Sequence, residues 1–83
     1  MISYKDLELE VAYNEAVKEL SNSLASLKAM AVNETDLALR FVDDSHVPLD
    51  AIERLANKIA YTKAVARKVA DARSALINYR FNR

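Results

Sequence analysis

Glycine is absent from this chain and proline occurs once, at Pro48. Tight hairpins and barrel corners depend on glycine for turns with positive φ, so a β architecture lacks its usual means of reversing strands. The apolar residues recur instead at helical spacing, and the helix formers Ala, Leu, Glu, Lys and Arg dominate. A length of 83 residues leaves no room for a second hydrophobic core. The expectation is a single all-α domain over residues 1–83.

The first helix is expected over about 4–32. Ser3 stands three residues before Asp6, the spacing at which a serine hydroxyl caps a helix and an acidic residue reaches back. Leu9, Tyr13, Ala16, Leu20, Leu24, Leu27 and Ala31 then follow at about 3.7 residues per step, close to the period of a straight helix. Asn33-Glu34-Thr35-Asp36 predicts a break, with Asn33 or Thr35 capping a short second helix over about 35–43. Asp43-Asp44-Ser45-His46-Val47 is a polar connector. Pro48 then opens a helix to about residue 80, with Asp50 and Glu53 at the positive end of its dipole. The pattern is a helical hairpin of two long antiparallel helices with a short connecting helix.

The last helix carries an apolar line through Ile52, Leu55, Ile59, Thr62, then Val65 or Ala66, then Val69, Ala72, Leu76 and Tyr79; read through Val65 it steps about 3.4 residues at a time. On a straight helix this displaces the later half of the line by roughly a quarter to a third of a turn. The expectation drawn from it is two stripes, one on the first helix and one left for another neighbour. Tyr61, Val65, Val69, Ala72, Leu76 and Tyr79 are the interface residues so predicted. A second copy would cover them in a four-helix bundle, and a chain this small lacks any disulfide to stabilise it otherwise. Alternatively, the short helix and the tail, with Phe41 and Phe81, fold over the stripe within a monomer.

Formal net charge is zero, yet residues 1–47 hold four Lys/Arg against nine Asp/Glu, and residues 48–83 hold eight against three. An acidic helix beside a basic one explains this, with each exposed pair contributing little. The competing reading sets Lys63, Arg67, Arg73 and Arg80 against phosphates, as in a nucleic-acid-binding helical dimer. These residues spread around the helix, and no recognition helix or zinc finger accompanies them.

Catalytic parts are missing. Without cysteine there is no thiolate chemistry, and without glycine no phosphate-cradling loop. His46 sits among Asp43, Asp44 and Ser45, but neighbours on a short loop do not make an oriented triad, nor is a twelve-residue calcium loop present. No metal or cofactor site is expected. No apolar run is long enough to span a bilayer, and the charged start Met-Ile-Ser-Tyr-Lys-Asp points to a cytoplasmic protein. What remains is a non-catalytic module that binds another protein, itself, or both. A regulator, inhibitor or assembly factor, of the kind phages and mobile elements encode, fits the size.

Overall fold

The computed structural model describes residues 3–82. It contains two helices, α1 over Tyr4–Asp43 and α2 over Leu49–Phe81, and no strand among the described residues. They pack side by side in opposite directions, making a rod 65 × 16 × 12 Å. Its radius of gyration is 18.8 Å, against about 12 Å for a compact globule of this length. The long dimension follows from α1, whose 40 residues at about 1.5 Å each give roughly 60 Å.

Ser3 caps α1 as its sequence predicts. Its Oγ accepts the Asp6 N–H at 3.1 Å and bonds the Tyr79 hydroxyl at 2.7 Å. One residue thereby ends α1 and ties it to the far end of α2. The expected break at Asn33–Asp36 does not occur, and residues 35–43 are the last turns of α1 rather than a separate helix. Asn, Glu, Thr and Asp lower helix propensity by only tenths of a kcal/mol each, and neither glycine nor proline stands there to stop the chain. Glu34 also faces α2 and accepts two bonds from Arg54, at 2.8 and 2.7 Å.

The chain reverses at residues 44–48. The Ser45 N–H bonds the Val42 carbonyl at 2.9 Å and the His46 N–H bonds the Phe41 carbonyl at 2.7 Å, which is the Schellman closure of a helix end. That closure needs a left-handed residue, and Ser45 takes it at φ 62°. Pro48 then precedes the first residue of α2, and its carbonyl accepts the Ile52 N–H.

The seam between the helices is a strict heptad. On α1 the inward positions are Asp6, Leu9, Tyr13, Ala16, Leu20, Ser23, Leu27, Met30, Glu34 and Leu37; on α2 they are Pro48, Ala51, Leu55, Lys58, Thr62, Val65, Val69, Ala72, Leu76 and Tyr79. Every one is buried or half-buried, and the steps alternate three and four, the spacing of a left-handed coiled coil. Cross-helix bonds fix the register, bringing Leu9 level with Leu76, Leu20 with Val65 and Ser23 with Thr62.

This corrects the expectation of a displaced second stripe. The drift of a heptad against a straight helix is about 20° per repeat. Over the four repeats from Ala51 to Tyr79 it accumulates to about 80°, and supercoiling absorbs it. Val65, at 2% exposure, and Leu76, at 7%, are among the most buried residues of the rod. Val69, Ala72 and Tyr79 are half-buried beside them. These five residues lie in the seam of the hairpin, against α1.

Its core is thin. Among the described residues the buried apolar ones are Ala16, Ala51, Val65 and Leu76, and no large side chain is fully buried. Ser23 and Thr62 form a small polar level midway, where the Thr62 hydroxyl donates to the Lys58 carbonyl at 2.9 Å. The accessible surface is 6429 Å², against about 5,000 Å² for a compact monomer of this mass.

Candidate functional site

Two broad flanks run the length of the rod, one on each side of the seam. Glu10 meets Arg80 at 3.1 Å across the first, and Glu19 meets Lys68 at 3.2 Å across the second. In heptad terms the first flank carries the e positions of both helices and the second the g positions. From the Glu10–Arg80 end towards the turn, α1 lines the first flank with Val17, Leu24, Ala31 and Ala38. α2 lines it with Ala66, Ile59 and Ile52, beyond Arg73. No titratable group interrupts those seven positions.

Leu24, Ile52 and Ile59 are 50%, 55% and 54% exposed. A helix in a two-stranded coiled coil needs apolar residues at two positions of the heptad and places charges beside them. Here a third position is apolar as well, the pattern of a helix buried on a wider face. The opposite flank has ordinary surface chemistry. Its groove is lined by Glu15, Glu19, Asn22, Ser26, Lys58 and Tyr61.

Tyr61, the remaining residue of the expected interface, therefore lies on the polar side. The Lys58 ammonium sits 5.1 Å from its ring centroid, a cation–π contact. Leu55 and Thr62 stay in the seam as the sequence reading has them, while Ile52 and Ile59, which that reading also assigns to the seam with α1, lie outside it.

The signal for this was present but weak. A line through the bulkiest apolar residues leaves the seam at Leu24 on α1 and at Ile52 and Ile59 on α2. The seam itself passes through Ser23, Ala51 and Lys58 at those levels. Small or polar residues occupy the inside there, and large apolar ones the outside.

Part of the charge asymmetry between the halves is cross-helix pairing. Arg54 holds Glu34, Lys68 holds Glu19, and Arg80 holds both Asp6 and Glu10. The hydrogen bonds from Arg54 keep the Glu34 carboxyl below the usual carboxylate range. The bonds Arg80 donates to Asp6, with a smaller contribution from Glu10, raise Arg80 further above the ordinary guanidinium value. Of the four predicted anion-contacting residues, Arg80 is thus engaged. Lys63, Arg67 and Arg73 are exposed, and their positions on α2 face different ways.

Among the described residues no group of three or more His, Cys, Asp or Glu side chains is placed to hold a metal ion. His46 lies exposed in the turn, its Nδ1 at 2.9 Å from the Asp44 carbonyl oxygen and its ring tilted against Phe41. No helix of the described residues is long and apolar enough to cross a membrane. Another apolar patch, Tyr4, Leu7 and Val11, faces outward from the start of α1. The Leu24–Ile59 flank draws its exposed apolar residues from both helices. No protein-family model, curated protein or solved structure matches the chain.

Proposed function

We propose that this chain is a non-catalytic protein-binding module that docks through its Leu24–Ile59 flank, acting as a regulator, inhibitor or assembly factor. The observation that carries this reading is the asymmetry of the two flanks. Both border the same seam, yet one shows large apolar side chains half exposed and the other shows charges and amides. Contiguous apolar surface on this scale marks an interaction site in soluble proteins. A rigid pair of helices presents it with little conformational entropy left to lose.

The predicted interface moves accordingly, from Val65, Val69, Ala72, Leu76 and Tyr79 to the e positions beside them. The nucleic-acid alternative has less support, because Arg54, Lys68 and Arg80 already answer carboxylates of α1. Capture experiments test the docking reading. Immobilised wild-type chain should retain its protein partners, Leu24→Asp and Ile59→Asp should lose them, and Ser26→Asp on the polar flank should keep them. Equal capture by all four forms would refute the flank as the binding surface.

A further inference from the structure

We infer that the occupant of the Leu24–Ile59 flank is a second copy of this chain, with the two-fold axis running along the rod and both turns at the same end. The inference rests on the docking reading above and names its partner. Three observations carry it.

The first is heptad composition. Apolar residues at a, d and e, with polar ones at g, are what each helix of a four-helix bundle needs, since it must contact two neighbours. The chain supplies two such helices already paired. A two-fold copy supplies the other two.

The second is the match of sizes and charges. A two-fold axis along the rod brings α1 of one copy against α2 of the other at unchanged levels and in antiparallel direction. Leu24 then falls between the second copy's Ile59 and Ala66, and Ala31 between its Ile52 and Ile59. Large and small apolar side chains thus alternate across the contact, as interdigitated cores require. At the open end Glu10 falls between the second copy's Arg73 and Arg80, so acids and guanidiniums alternate around the bundle. Reversing one rod end for end instead stacks the Arg73 guanidinium on the second copy's Ile52 and leaves the charged ends without counterparts.

The third is area. The apolar stretch from Val17 to Ala38 is about 32 Å long at about 1.5 Å per residue on a face 16 Å wide, or about 500 Å² per copy and about 1,000 Å² in total, the lower bound of a specific interface. A self-complementary patch is also what a two-fold interface demands.

The test is sedimentation of the full chain, together with a spin-label distance. The wild type should sediment at twice its 9.3 kDa at tens of micromolar. Because the chain has no cysteine, His46→Cys gives a single label in the exposed turn. Labels on two copies should lie within about 30 Å, given helix axes packed about 10 Å apart. A separation near the 65 Å rod length would overturn the arrangement. Leu24→Asp and Ile59→Asp should weaken self-association at least tenfold. A folded particle of one chain's mass at 100 µM overturns the inference and leaves docking on a foreign protein standing. A dimer that both variants leave undiminished overturns the inference and the docking reading together. Wild-type mass and label distance decide the matter even where a variant fails to fold.

Discussion

The two flanks of the rod are built by the same two helices, at the same distance from the same seam, and differ only in what the heptad places there. On the polar flank Glu19, Ser26, Tyr61 and Lys68 do what surface residues of a coiled coil do. They pair, hydrate and cover the seam with their stems. On the other flank Leu24, Ile52 and Ile59 leave about half of their surface in water. A hairpin meant only to hold itself together would have no use for that difference. It teaches that the apolar residues of this molecule are divided between a narrow seam, closed within one chain, and a flank where Leu24, Ile52 and Ile59 stay half exposed.

The largest effect should come from breaking the seam rather than the flank. Leu76→Asp buries a charge with no counterpart at a site 7% exposed, and complete loss of helical circular dichroism at 25 °C is expected. Leu76→Ala should cost about 2–4 kcal/mol in urea denaturation. Ile59→Ala, examined at nanomolar concentration where the chains are dissociated, should cost below about 1 kcal/mol, because half of the side chain is already wet. At high concentration the order changes. Ile59→Ala should then lose stability in proportion to the association it removes, and the concentration dependence of Tm should flatten. Equal costs for Leu76→Ala and Ile59→Ala at every concentration would erase the distinction between seam and flank.

Much of the hairpin is legible from composition and caps. Missing glycine, the Ser3 cap, Pro48 before the second helix and the acidic-to-basic charge shift all correspond to features of the structure. The continuity of α1 through Asn33–Asp36 is not legible locally. Weak helix formers inside a long helix are overruled by packing, here by Glu34 reaching Arg54. The site was half legible. Apolar periodicity shows that α2 has more than one apolar stripe, but burial decides which stripe is inside. An alanine at 51 and a lysine at 58 look like surface until the register of the opposite helix is known. Ala51 is fully buried, level with Glu34, and the Lys58 stem lies level with Leu27. Bulk is a poor guide to burial when the seam is narrow.

A middle-sized effect belongs to the turn, which both flanks share. Ser45 holds φ 62°, a conformation that costs a non-glycine residue about 1–2 kcal/mol. Glycine removes that cost but adds backbone freedom to the unfolded chain. Ser45→Gly should therefore stabilise the hairpin by about 1 kcal/mol, raising Tm by about 4–8 °C. The gain should leave self-association of the folded chain unchanged, since residue 45 lies outside the flank. A loss of stability would mean that the Ser45 side chain contributes more than its backbone costs.

The smallest effect separates the two kinds of surface by pH. The Glu34 carboxyl is held below its ordinary value of 4.5 by the bonds from Arg54. A carboxyl depressed in the folded state binds its proton more readily when unfolded, so its contribution is complete above about pH 4.5. It is lost as pH falls through the lower folded-state value. Wild-type Tm should therefore fall more steeply between pH 5 and 3 than that of Glu34→Gln, which cannot make the charged pair at any pH. Raising salt should shrink the difference, because the Arg54 end of the pair is exposed. The stretch from Val17 to Ile52 on the apolar flank contains no group that titrates in this range. Acid should thus weaken the hairpin while the apolar contacts between the remaining folded molecules persist. If affinity instead follows the Glu34 titration step for step, the two surfaces are coupled, and the flank depends on the pairing at the turn end for its shape.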